Sequence, residues 1–311
     1  MSTLPKGYAV RSATQEDLPE VVRLFDALDA TFGLAPATDL ELLRGLFRLP
    51  SFDADRNTWL ITASDGAIAA YGDIEERAEE SAIATFGRVH PDHRGKGLGA
   101  VLLGLMEQRA LEIAGGRQVR IRAVTISQDE AGIALLESSG YHHVRTYWHM
   151  ERSLEELHAA HLPPGVVIRS FREGDAEVFH RIDTEAFRGQ WGMSAHPFDE
   201  WKERHLEGEA FEPDMWLLAQ LEGEDVGILV GRAWTREAWV DSLAVLGEFR
   251  GRGIGAALLQ QAFQVFRDAG FRQVALNVDS SNPTGATRLY EAQGMRVRRQ
   301  WMVYDKELGA R

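Results

Sequence analysis

The chain has 311 residues, of which 44% are hydrophobic and 26% charged, about twice an ordinary domain and too apolar for a disordered protein, so a single small module is excluded. Lys and Arg number 34 against 47 Asp and Glu, a formal net charge of -13, which disfavours nucleic acid or an anionic membrane as a partner. Cysteine is absent, ruling out disulfides, thiolate nucleophiles and cysteine-based zinc sites. The first ten residues hold no apolar signal core, and no run is long enough to span a bilayer, so the expected location is cytoplasmic.

In chain order, Gly7-Tyr8-Ala9-Val10-Arg11-Ser12 reads as a short strand, followed by an acidic turn and an amphipathic segment. Trp59-Leu60-Ile61 is a second apolar strand closed by the polar turn Ser64-Asp65-Gly66. The run Arg94-Gly95-Lys96-Gly97-Leu98-Gly99-Ala100 then leads into Leu98, Leu102, Leu105, Met106, Ala110 and Ile113. Their spacing predicts a helix with one buried face, stopped at Gly115-Gly116. Val119, Ile121 and Ala123 alternate as a half-covered strand. A charged stretch from Leu154 gives way to Pro163-Pro164-Gly165, which stiffens the chain and stops a helix.

Beyond that point the order repeats. Gly165-Val166-Val167-Ile168-Arg169-Ser170 matches the opening strand, and Trp216-Leu217-Leu218 matches the second. Arg250-Gly251-Arg252-Gly253-Ile254-Gly255-Ala256 matches the glycine run, its Arg250 lying 250 - 94 = 156 residues beyond Arg94. A helical pattern follows over Ile254, Leu258, Ala262, Val265, Phe266 and Ala269, then a strand over Val274, Leu276 and Val278. So long a period means duplicated domains, since solenoid repeats are several-fold shorter. The expected division is 1–153, a linker at 154–164, and 165–311, each half of mixed α/β class.

Both glycine runs join a strand to a helix. There the backbone can approach an anion closely, and free N–H groups of the first helical turn point at it, an arrangement suited to a pyrophosphate. The dinucleotide fingerprint fails, because Leu102 and Leu258 stand where its third glycine is needed; the P-loop fails because Gly97 follows Gly95-Lys96. His90 with His93, and His142 with His143, lack the helical spacing of a metal pair, and no metal is expected.

The glycine runs resemble the signature Arg/Gln-x-x-Gly-x-Gly/Ala of the GNAT superfamily of acetyl-CoA-dependent N-acetyltransferases, in Arg94-x-x-Gly97-x-Gly99 and Arg250-x-x-Gly253-x-Gly255. The resemblance extends to Leu243-Ala244-Val245 before the second run and to Asn282, Ala286, Leu289-Tyr290-Glu291 and Gly294-Met295 after it. It is weakest over 30–52 and 189–211, where the superfamily varies and contacts the acceptor. It implies two tandem GNAT-like domains, each a mixed, mostly antiparallel sheet flanked by helices, and acetyl-CoA as co-substrate. Leu243, Ala244 and Val245, with Arg88 and Val89 in the first half, would pair with the pantetheine arm. The residues of both glycine runs and Asn282 would complete the cofactor-binding set.

The resemblance further implies direct attack of a primary amine, on a small molecule or on a peptide or protein, without an acyl-enzyme; the lack of cysteine agrees. Tyr290 matches the family's acid for the departing thiolate. Leu136 stands opposite it in the first half and can neither donate a proton nor bond to sulfur, so the second half is expected to catalyse, with the first structural or binding cofactor without turnover. An alkylamine with a pKa of about 10.4 must lose a proton before attack. Asp241 is the base candidate, placed by alternation on the face of Leu243 and Val245; Glu237 and His196 are further candidates. Phe187, Trp191, Phe198, Trp201 and Phe211 fall in the acceptor region, where some would line an acceptor pocket, although aromatics at irregular spacing more often belong to the core. The alternatives are a non-catalytic acyl-CoA sensor or a transferase of a longer acyl group.

Overall fold

The computed structural model describes residues 3–36, 38, 40–49, 51–76, 82–191, 196–206, 211–234 and 237–309. The chain divides into two compact units, Met1–Thr146 with Arg299–Arg311, and Tyr147–Arg298.

In the first unit, β1 (Tyr8–Arg11) leads to helices α1 (Leu18–Thr31), α2 (Leu40–Arg48) and the single turn α3 (Ala54–Asn57). Then come β2 (Thr58–Ala63), β3 (Ile68–Glu76), β4 (Ile83–Val89), α4 (Leu98–Ala114), β5 (Val119–Ile126) and α5 (Glu130–Ser138). Strand β6 (His142–Ser153) starts in this unit and ends in the other. The second unit continues with β7 (Val166–Ser170), α6 (Ala176–Ala186), α7 (Phe198–Leu206), β8 (Trp216–Leu221), β9 (Glu224–Ala233), β10 (Ala238–Val245), α8 (Ile254–Asp268), β11 (Gln273–Asp279) and α9 (Ala286–Ala292). The last strand, β12 (Arg296–Leu308), begins there and finishes in the first unit.

Within the first unit, β1 through β5 follow one another across the sheet, antiparallel except for the parallel pair β4–β5, and Trp301–Leu308 of β12 adds antiparallel to β5. Within the second, β7 through β11 repeat the same order, with β10–β11 parallel, and Tyr147–Ser153 of β6 adds antiparallel to β11. The final strand of each half therefore completes the sheet of the other unit, whereas the expected division kept each half to itself. Apolar alternation marks 142–153 and 296–308 as strands but says nothing about which edge they join.

Neighbouring residues show the two faces of the first sheet. Leu60 and Tyr71 pack with Leu18, Val21 and Phe25 of α1, while Ile61 and Ala70 pack with Leu98, Leu102 and Met106 of α4. In α8 the predicted positions Ile254, Leu258, Ala262 and Phe266 are buried, joined by Phe263; Ala269 lies exposed past the helix end. Each unit also fastens its first strand by an arginine clasp. Arg11 holds Asp17 through two bonds of 2.7 and 2.6 Å, and Arg169 holds Asp175 through bonds of 2.5 and 2.9 Å. Among the described residues, no helix is long and apolar enough to cross a membrane.

Candidate functional site

The parallel strands of each unit pair only briefly. In the first unit pairing covers Ile83–Thr85 against Ile121–Ala123, and in the second Ala238–Trp239 against Val274–Ala275. Beyond those residues the strands part, so backbone groups of Gly87–Val89 and Leu243–Val245 have no ladder partner on that side. At the end of each gap lies the glycine run. Gly95, Gly97, Gly251 and Gly253 have φ of 73°, 79°, 76° and 81°, the left-handed region that a side chain resists. The helical ladder starts with Val101 N–H to Gly97 O and Ala257 N–H to Gly253 O. The N–H groups of Leu98, Gly99 and Ala100, and of Ile254, Gly255 and Ala256, precede it and have no intrahelical acceptor.

The first gap opens into a cavity of about 310 Å³, lined by Gly87, Val89, Gly97, Leu98, Val124 and Leu136 among others. Arg88 crosses it, donating to Gly87 O at 2.8 Å and to Val124 O at 3.2 Å; burial pushes its guanidinium down to about 10, which leaves it charged near neutrality. Arg94 donates to Asp129 Oδ1 at 2.6 Å, and Lys96 to Asp92 O at 3.0 Å. Tyr141 N–H donates to Leu136 O at 3.0 Å just as Met295 N–H donates to Tyr290 O, so Leu136 and Tyr290 are structural equivalents. An ungapped count puts Gln128 opposite Asn282. The turns instead match Asp129 with Asn282, each donating its N–H at 3.0 Å to the strand end, Ile126 O and Asp279 O.

The second gap differs in one backbone feature. Strand β10 pairs Val240 with Gly231 and Ser242 with Val230, leaving Asp241 as an extra residue, a β-bulge of the kind that re-aims side chains beside active sites. Val245 Cγ2 lies 3.9 Å from where a Cβ on Gly255 of α8 would stand. Ser242 Oγ on the other face donates to Asp183 Oδ1 of α6 at 2.7 Å. The bulge puts Asp241 on this α6 face, not on the face of Leu243 and Val245 as simple alternation predicts. There it accepts from Arg232 Nε at 3.0 Å, while Arg232 Nη2 meets His205 Nδ1 of α7 at 2.9 Å.

Arg250 donates to Val245 O at 2.9 Å and to Ala186 O at 3.0 Å, bracing the strand end against α6. Arg252 donates to Glu248 O at 3.2 Å. Asn282 Oδ1 accepts from the Thr284 N–H at 2.9 Å, and its Nδ2 lies 3.5 Å from Gln190 Oε1. Tyr290 on α9 is 8% exposed, and burial pushes its hydroxyl up to about 12. Its neighbour Leu289 packs on Gly255 of α8, 3.3 Å from the position of a Cβ there. Trp201 is 3% exposed, Phe187, Phe198 and Phe211 pack against the same core, and Trp191 meets the Tyr147 ring at 6.3 Å. His196 Nδ1 lies 3.4 Å from Glu200 Oε1 at the start of α7. Glu237 converges with His149 and Glu151, one polar atom of each lying within 4.8 Å of the others.

The two units share one arrangement, a glycine run at the end of a splayed parallel pair, and comparison with known proteins finds the same duplication. The family model "Acetyltransferase (GNAT) family" matches residues 22–141 and 176–295, most of the chain. The chain belongs to the acetyltransferase (GNAT) family. Among curated relatives, a mycothiol acetyltransferase of Thermobispora bispora is 31% identical over 90% of this chain and 93% of its own length. One from Geodermatophilus obscurus is 30% identical over 94% and 96%. A GCN5-related N-acetyltransferase from Sphaerobacter thermophilus shares the fold at a TM-score of 0.88 and 31% identity, covering 99% of this chain and 98% of its own. GNAT acetyltransferases use acetyl-CoA, and the residues here fit it: positive-φ glycines, unpaired strand edges and uncapped helix starts converge at each cleft.

Sequence reasoning found both GNAT glycine runs and the loss of Tyr290 in the first half. It missed the bulge at Asp241 and the place of Asp129, both of which depend on one-residue register shifts that only pairing reveals. It also missed His149 and Glu151, whose i, i+2 spacing on β6 puts them on one face but gives no hint that Glu237 meets them.

Proposed function

We propose that the protein moves an acetyl group from acetyl-CoA to the primary amine of a small molecule by direct attack, and that the second unit carries the chemistry. The presence of Tyr290 at the position held by Leu136 in the first unit carries this reading, since only the former can give a proton to sulfur. In each cleft the N–H groups of the glycine run and the first helical turn would take the diphosphate. The free edge of Leu243–Val245, or of Arg88–Val89, would pair with the pantetheine arm. A strand N–H there would stabilise the oxyanion formed on attack.

The name of the mycothiol acetyltransferase relatives supports a small-molecule acceptor. In the first unit the open cavity supports binding of acetyl-CoA, while Leu136 in place of a donor supports binding without turnover. A screen of primary amines for CoA release tests the reading; no release with any amine would reject it.

A further inference from the structure

Resting on that reading, we infer that Glu237, backed by His149 and Glu151, is the group that receives the acceptor's ammonium and takes its proton. The pairing register fixes where this cluster lies. His149 sits opposite Asn277 and Glu151 opposite Ala275 on β11, and Ala275 sits beside Trp239 on β10. Laterally paired residues share a face, so His149, Glu151, Asn277 and Trp239 are together. Val274, Leu276 and Val278 point the other way, into the core with Leu258 and Phe266 of α8. Ala275 is small enough for side chains from β6 to meet those at the start of β10 above it.

The cluster stands at the root of the gap. The last β10–β11 pair is Trp239 with Ala275, and His149 is level with Asn277, two residues further along, where β10 has already moved away. Tyr290 belongs to α9, which packs on α8, and the cluster lies on the opposite face. An amine entering from the α6 and α7 face would meet the carboxylates first, with the phenol beyond the gap.

The chemistry of the cluster suits a cation. His149 Nε2 and Glu151 Oε1 are 2.9 Å apart, His149 Nδ1 and Asn277 Oδ1 are 3.3 Å apart, and the His149 ring lies 5.6 Å from the Trp239 ring. These contacts fix the imidazole between β6 and β10. Glu237 is held above the usual carboxylate range, first by burial and then by the charge of Glu151, with His149 opposing. Among the described residues, the charged groups near the cluster or on its face include Arg298, whose Nε lies 3.7 Å from Glu151 Oε2, Asp279 two residues beyond Asn277 on β11, and the mutually bonded Arg232 and Asp241. Buried Asp183 on α6 accepts from Ser242, and His205 on α7 meets Arg232. Asp241 is the weaker candidate on geometry, because the Arg232 guanidinium already occupies its carboxylate at 3.0 Å.

The protons balance. The ammonium gives one proton to Glu237, which passes it to solvent. The nitrogen lone pair forms the C–N bond to the acetyl carbonyl, and the C–S pair leaves on sulfur. Sulfur receives the Tyr290 proton, which the amide nitrogen's second lost proton replaces.

The test compares wild type with Glu237→Gln, Glu237→Ala, Asp241→Asn and His149→Gln, using an amine that supports CoA release. Glu237→Gln is expected to lower kcat about 100-fold or more and to remove the acid limb of the pH profile, while calorimetric acetyl-CoA affinity and the melting temperature stay near wild type. Formate should restore part of the rate to Glu237→Ala, and His149→Gln should raise KM for the amine more than it lowers kcat. If wild type turns over but Glu237→Gln keeps its rate and acid limb, or if Asp241→Asn alone loses them, the inference fails and the acetyltransferase reading stands. If no amine is acetylated by wild type, both fall. Activity is expected to persist in EDTA; loss in EDTA with recovery on added zinc would make the cluster a metal centre and overturn its role as base.

Discussion

Tyr290 and Leu136 end equivalent helices, are 8% and 7% exposed, and accept the same backbone bond, so the two units differ here in side chain alone, a phenol against an aliphatic group with no donor. Because burial holds that hydroxyl at about 12, it stays protonated through the physiological range and remains a donor. Tyr290→Phe should therefore lower kcat by roughly 10- to 100-fold without moving either limb of the pH profile below pH 10, and without weakening acetyl-CoA binding. Steady-state kinetics from pH 6 to 10 check this, and unchanged turnover would remove Tyr290 from the chemistry. Its place opposite Leu136 was legible in the sequence, because Gly140 and Gly294 set the two segments in the same register. Asp241 was misplaced because alternation assumes an unbroken pleat, and a bulge breaks it.

At the scale of single elements, the arginine clasp between β1 and the turn before α1 makes a pH-dependent contribution with a definite sign. The Arg11 bond lowers the Asp17 carboxyl from its model-compound value of 3.8 to about 2. Its folded value is depressed, so its stabilisation is present above pH 4 and is lost as pH falls through about 2. The shift alone would correspond to roughly 2.5 kcal/mol. Because the Arg11 side chain is 49% exposed, solvent screening reduces this to about 1 kcal/mol. Asp17→Asn should cost that amount at pH 7 by urea unfolding, and the difference from wild type should vanish near pH 2. Arg11-Ser12 and Arg169-Ser170 announced this repeat in the sequence, but the partners six residues on are visible only in the folded turn.

The glycine runs permit a similar dissection of the two clefts. Gly97 and Gly253 both have a φ near 80°, which a β-branched residue adopts only under strain. Calorimetry with acetyl-CoA should detect two sites in the wild type, with Gly97→Val removing one and Gly253→Val the other. No heat attributable to the first cleft would leave its glycine run a scaffold.

For the whole molecule, the duplication was plain in the 156-residue offset, while the exchange of final strands was not, since strand pattern is blind to partner. Its energetic weight in the first unit is considerable. Trp301–Leu308 pairs along the full length of β5, and Tyr304 and Leu308 enter the core. Arg299, 5% exposed, holds buried Asp29 through two bonds of 3.0 and 2.9 Å and donates to Ala35 O at 2.9 Å. Removing one partner of such a pair leaves a buried charge uncompensated, at a cost of about 3–5 kcal/mol. Arg299→Ala should destabilise the first unit by about that amount, and a chain ending at Arg298 should lose the first unit's hydrogen-exchange protection. Full protection in the shortened chain would show that β5 needs no neighbour.

This strand exchange also dictates an order of events during translation. Residues 1–146 leave the ribosome well before the second unit does, yet β5 lacks its neighbour until residues 301–308 have emerged. The half made first thus waits for a strand made after the second unit, and a ribosome stalled anywhere upstream of Arg299 leaves the β5 edge unpaired.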